Sequence, residues 1–205
     1  MSTPRGYVKF LLGADVETSG LAFNQPDPSF DPVTGETFQI VSIGLVVTDF
    51  ATLKEIETLY LEIKWNGEST WSQKAQDVHG LSLAYLEANG IEEEEAAVQI
   101  AQLILKYWGP NSPVSLLGHN VATFDKPFID RLLKKFGINV RYGSKHIDTN
   151  SVGAIVFGTH NSDDLFETVG LPPRDPSKHN ALIDAQNAVA ACRSVRQLST
   201  KCFEE

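Results

Sequence analysis

The chain has 205 residues, a length that can bury a sizeable core and usually makes one domain. Hydrophobic residues make up 42% and charged residues 21%, which excludes a disordered or fibrous chain. The net charge of −9 argues against binding of a long nucleic acid through a broad basic surface, because nonspecific affinity comes largely from Lys and Arg neutralising phosphates. A short contact, at a site where bound metal ions supply the positive charge, stays open.

No apolar run approaches the roughly 18 residues of a membrane span, and Met1 to Gly6 lack a signal-peptide pattern. The expectation is an intracellular, cytoplasmic protein with no membrane partner. Cys192 and Cys202 are too few for a disulfide scaffold or a zinc site and are expected as spare thiols.

In chain order, Tyr7 to Val16 reads as a buried strand, with Val8, Phe10, Leu11 and Leu12 apolar and no helical period. Residues 24–37 hold three prolines and a glycine and are expected as one long loop after the first strand. Its length would let it fold over a site entrance; Phe23 and Phe30 are expected as core anchors, with base stacking the alternative. Ile40 to Thr48 and Leu59 to Lys64 are the next expected strands, joined by residues 49–57. Helices are expected at Ser82 to Glu87 and at Glu92 to Trp108, where Ala96, Ile100, Leu103, Ile104 and Tyr107 recur at helical spacing. Glu92 to Glu95 fit a solvated first turn favoured by the helix dipole. A strand at Pro113 to Leu117 follows, then a helix from Asp125 to Phe136 stopped by Gly137, and a short strand at His146 to Asp148. Asn150 to Phe157 and Asp163 to Val169 read as short helices, and Ala181 to Gln197 as a long closing one. Strands first and then alternation predict an α/β fold, a mixed sheet flanked by helices. With no repeat or linker to split it, one domain over residues 1–205 is expected, its core at about 7–195. Trp65, Trp71 and Trp108 are expected in or against that core.

Asp15 and Glu17 stand two apart at the end of the first strand, so the strand period of two sends both carboxylates to one face. The turn Thr18-Ser19-Gly20 puts them at a strand's C-terminal edge, where open α/β sheets bind ligands. Asp125 opens a helix directly after another strand, which suits a site acid and equally an acid complementing a helix dipole. Asp184 falls in the first turns of the last helix. Five residues of helix rotate by about 140°, so His179 belongs to the preceding loop, Pro172 to Lys178, which could swing it over a site. Read blandly, it is an exposed loop histidine.

Asp15-Val-Glu-Thr-Ser-Gly20 resembles the first motif of the DEDDh exonuclease family, which includes polymerase proofreading subunits, ribonuclease T and oligoribonuclease. Gly118-His-Asn-Val-Ala-Thr-Phe-Asp125 resembles the second motif and His179-Asn-Ala-Leu-Ile-Asp184 the third, while Val78-His-Gly-Leu-Ser82 resembles an element of the proofreading branch. The motifs fall in the family's order across residues 7 to about 195. The resemblance implies an RNase H-like five-stranded mixed sheet and 3′-to-5′ exonuclease activity releasing nucleoside 5′-monophosphates. Asp15, Glu17 and Asp184 would hold one metal ion, Asp15 and Asp125 would help hold a second, and His179 would be the general base. Thr18 and Leu21 would contact the terminal nucleotide. His119 and Asn120 join them as substrate-binding candidates, with Asn120 also read as a tie within the second motif. His79, His119, His146 and His160 lack the spacing of a metal set; Asp148 reads as structural, Asp163 and Asp164 as helix caps.

Elementary electrostatics agrees with that implication. Two carboxylates about 4 Å apart repel by roughly 4 kcal/mol at an effective dielectric near 20, so four together need cations. Oxygen ligands select hard ions, Mg²⁺ first and Mn²⁺ next, and two such ions suit an in-line displacement at phosphorus. The expected substrate is a single-stranded nucleic-acid 3′ end, DNA before RNA; an oligoribonuclease-like enzyme and a nonenzymatic docking module are the alternatives. No polymerase segment is recognisable, so a polymerase partner is expected only in trans.

Overall fold

In the computed structural model, which describes residues 8–23, 25–175 and 178–202, five strands form one mixed sheet. They are β1 (Phe10–Thr18), β2 (Ile40–Asp49), β3 (Glu55–Glu62), β4 (Leu116–Gly118) and β5 (Ile147–Asp148), ordered β3-β2-β1-β4-β5. The β1–β2 and β2–β3 pairs are antiparallel, whereas β4 runs parallel to β1 and β5 parallel to β4. Seven helices flank the sheet among the described residues: α1 (Gln73–His79), α2 (Leu83–Asn89), α3 (Glu93–Trp108), α4 (Asp125–Lys135), α5 (Thr149–Phe157), α6 (Ser162–Thr168) and α7 (Ala181–Cys202). The α/β class and the five-stranded mixed sheet agree with expectation. The strand start at Tyr7, Asn24 of the long loop, Pro176, Ser177 and the Cys202 side chain lie outside the described residues. Among the described residues, no helix is long and apolar enough to cross a membrane.

Alternation along β1 divides its side chains between two apolar layers. Leu12, Ala14 and Val16 join Ile43, Leu45, Ile100, Ile104, Phe128 and Leu132 in a core under α3 and α4. Leu11 packs on the opposite face with Val46, Leu117, Ala185, Val189 and Cys192, where α7 lies. Asp15 and Glu17 share the parity of Leu11 and therefore face α7. Both faces are covered, and β2 is accordingly buried from Ile40 through Thr48.

Two glycines set how closely α7 approaches. Gly44 pairs with Asp15 across β1–β2, and a Cβ on it would fall 2.3 Å from the backbone of Ala181 and Leu182. A Cβ on Gly13 would meet Val189 Cγ2 at 2.9 Å. The first turn of α7 therefore lies directly on the sheet beside Asp15, which carries Asp184 to the strand edge. At its far end α7 is fastened by Arg193 to the carbonyl of Leu53 and by Arg196 to those of Phe50 and Ala51.

Several expectations are corrected. β3 begins at Glu55 and ends at Glu62, where the sequence suggested Leu59 to Lys64, because its first half alternates half-buried Glu55 and Glu57 with exposed Ile56 and Thr58, a pattern that an edge strand tolerates. α1 was not expected; it is mostly polar, capped by the Ser72 hydroxyl accepting from the Ala75 amide and ended by left-handed Gly80. Asn161, rather than Asp163 or Asp164, caps α6, while Asp148 caps α5. Phe23 and Phe30 do not anchor the core. Phe23 is 68% exposed beside the Lys74 ammonium, and Phe30 lies on the surface under the Arg131 guanidinium. The loop after β1 turns back on itself through Phe38 N–H donating to Ser29 carbonyl and packs toward α4. Trp108 is buried in the core, and Trp65 and Trp71 are half-buried.

Candidate active site

The end of β1 supplies Asp15 and Glu17, the start of α4 supplies Asp125, and the first turn of α7 supplies Asp184. Asp125, 1% exposed, accepts the backbone N–H of Val16 at 2.9 Å, so it grips β1 at the peptide between the two strand acids. Glu17 is 9% and Asp184 4% exposed, while Asp15 keeps part of its surface open to solvent. One oxygen of Glu17, one of Asp184 and one imidazole nitrogen of His179 lie within 4.8 Å of one another. The structure thus brings all five chemistry-bearing residues of the three motifs to one strand edge.

Burial and mutual repulsion hold these acids toward their neutral forms. Burial, then the Asp125, Glu17 and Asp184 charges, raises Asp15 well above the usual carboxylate range, with Arg174 opposing. Burial and Asp184 push Glu17 up to about 8. Asp125 is raised by burial against the amide donation of Val16, and Asp184 is raised by burial against Arg174 and His179. A divalent cation would relieve this repulsion, and an oxygen-rich set with one imidazole suits a hard ion, so the residues fit such a group. His179 is lowered by burial and by Arg174, with Asp184 opposing, which favours a neutral imidazole near pH 7.

The remaining candidates surround this cluster. Thr18 is buried where the β1–β2 register shifts, and Leu21 packs against the larger core. Asn120 has φ 57; its N–H donates to Asp148 and its side-chain oxygen accepts from Asn150, tying the second motif to β5 and α5. His119 Nδ1 is 3.1 Å from the Thr149 hydroxyl.

Two more side chains flank the cluster, His79 from the Val78 to Ser82 element and Arg174 from the proline-rich loop. His79 is 3% exposed and held down to about 4 by burial and by His179, so it remains neutral; its Nδ1 accepts the Leu81 N–H. Arg174 reaches Asp184 Oδ2 with Nη1 at 3.2 Å while Nε donates to Asp163 at 2.6 Å and Nη2 to the Ser162 hydroxyl at 2.7 Å. A lone arginine in a proline-rich loop has no periodicity to mark it. A larger cleft of about 770 Å³ runs along α4, lined by Lys126, Arg131 and Lys135 among others, but Lys126 pairs with Asp130 and Lys135 with Glu93. It is a salt-bridged seam away from the acids.

No curated protein sequence matches the chain. The sequence does match the model of the RNase T-type exonuclease family over residues 12–192. Among solved structures, Escherichia coli exonuclease I in a zinc-bound complex with single-stranded DNA aligns with a TM-score of 0.73 at 17% identity, over 96% of this chain and 42% of that one. The same enzyme with a dT13 oligonucleotide gives 0.74 at 16% identity, over 96% and 43%. Exonuclease I of Methylocaldum szegediense gives 0.71 at 19% identity, over 96% and 42%. The chain therefore spans less than half the length of these relatives. The family match over most of its length shows that the chain belongs to the RNase T-type exonuclease family, and the shared fold agrees with it.

Proposed function

We propose that the protein removes nucleotides one at a time from the 3′ end of single-stranded DNA, in a reaction that needs two divalent cations, Mg²⁺ or Mn²⁺. The observation that carries this reading is the convergence of Glu17, His179 and Asp184 within 4.8 Å, beside Asp15 and Asp125. Asp15, Glu17, Asp125 and Asp184 hold the cations. When bound, these lower the pKa of water and stabilise the departing 3′-oxygen. His179, kept neutral by burial and Arg174, accepts a proton from the water that attacks phosphorus, and the products are a nucleoside 5′-monophosphate and a shortened strand. Thr18, Leu21, His119 and Asn120 border the terminal nucleotide, and the exposed Phe23 ring is free to stack on a base. Single strands are favoured because exonuclease I, which shares the fold, has been captured with single-stranded DNA.

The test is incubation of the pure protein with 5′-labelled single-stranded DNA, duplex DNA and RNA in Mg²⁺, Mn²⁺ or EDTA. A ladder that shortens from the 3′ end of the single strand, and disappears in EDTA and in Asp15→Ala, is expected. Undiminished cleavage in EDTA would remove the cation-dependent reading, and preference for RNA would replace the substrate.

A further inference from the structure

Arg174 adjoins the acid cluster through Asp184. Its side chain is 16% exposed, and the guanidinium rests over the Phe166 ring at 5.6 Å. Nε and Nη2 are engaged by Asp163 and Ser162 on α6, so the fork is held at its rear while Nη1 faces Asp184. Beside it lies a cavity of about 260 Å³ lined by Arg174, Lys178, His179, Ile183, Asp184 and Asn187. The cavity thus has His179 and Asp184 of the acid cluster in its wall.

Charge arithmetic shows what such a cation is for. Four ionised carboxylates carry a charge of −4, which two divalent cations cancel and do not exceed. An incoming phosphodiester adds −1, and the monoester product carries close to −2 near neutral pH. Arg174 is placed to supply the difference, since a guanidinium stays charged at any working pH and offers directed donors to phosphate oxygens. Asp163, its rear partner, is 65% exposed, so solvent screens much of that opposing charge.

Resting on the exonuclease reading above, we propose that Arg174 is a phosphate-binding specificity residue, donating from Nη1 to the phosphate of the 3′-terminal nucleotide and of the released 5′-monophosphate. It acts on the substrate and not only as a tie between the loop and α6. Loss of the fork therefore weakens ligands that carry the phosphate and spares those that lack it.

The experiment is calorimetric titration of the full chain with thymidine 5′-monophosphate and with thymidine, in Ca²⁺ and in EDTA, for wild type, Arg174→Gln and Arg174→Lys, with each variant's thermal midpoint recorded. Removing a charge-assisted contact is expected to weaken the monophosphate about ten- to a hundredfold in Arg174→Gln, with Arg174→Lys intermediate and thymidine unchanged. Equal monophosphate affinity in wild type and Arg174→Gln overturns the proposal, as does equal weakening of nucleotide and nucleoside, or a wild type that binds no monophosphate. If Arg174→Gln fails to fold, Arg174→Lys keeps the charge and most of the stem, and its monophosphate-to-thymidine ratio decides. The binding ratio is read without turnover, so a wild type that binds monophosphate through Arg174 yet hydrolyses no strand separates failure of the exonuclease reading from failure of this one.

Discussion

Glu17 states the cost of this site in one side chain. Its folded pKa, about 8, stands above the ordinary carboxylate value of 4.5, so its contribution to stability is complete below about 4.5 and is lost as pH rises through 8. Asp15, Asp125 and Asp184 are displaced in the same direction, each with burial as the leading cause. In EDTA the thermal midpoint should therefore fall between pH 5 and pH 8, by a loss on the order of a few kcal/mol, and a divalent cation added at pH 8 should restore it. Asp15→Asn removes one of the crowded charges, so it should abolish turnover while raising the midpoint in EDTA at pH 8 by about 3 °C or more. Differential scanning fluorimetry across pH checks both, and a midpoint in EDTA that is flat from pH 5 to 8 would contradict the crowding of acids described above.

At the scale of elements, the seating of α7 on β2 decides whether the cluster assembles. Gly44→Ala would drive a methyl group into the backbone of Ala181 and Leu182, and backbone cannot step aside as a flexible side chain does. We expect a loss of about 1–3 kcal/mol in urea unfolding and at least a tenfold fall in turnover, since Asp184 lies one turn further along the displaced helix. Wild-type turnover in Gly44→Ala would show that α7 is not the positioning element. The same elements show what the sequence could reveal. β1, β2, α3 and α7 were legible because long apolar periods identify them. The start of β3 gives no apolar alternation, because Glu55 and Glu57 occupy its half-buried positions and Ile56 and Thr58 its exposed ones, and α1 is illegible because Gln73, Lys74, Gln76 and Asp77 leave it hardly any apolar stripe. The acids and His179 could be read from their motifs, whereas the meaning of Arg174 and His79 depends on partners distant along the chain, Asp184 for one and His179 for the other.

Over the whole molecule the charge of −9 governs how a polyanion is admitted. The cationic side chains along the α4 cleft are largely spent on Glu93 and Asp130, so few phosphates can be neutralised at once. Log affinity for a single strand against log salt should accordingly have a slope no steeper than about −3, the value for roughly four phosphate contacts. Fluorescence anisotropy in Ca²⁺ over a salt series measures it, and a slope steeper than about −5 would reveal a basic track that the fold does not display. The seam under α7 has a consequence of a different kind. Cys192 is sealed there at 7% exposure, and burial pushes its thiol up to about 11, so almost no thiolate forms at neutral pH. In a Cys202→Ser background that single thiol becomes a built-in clock: alkylation proceeds only when the last helix lifts away, and its rate counts how often the third motif leaves the other two.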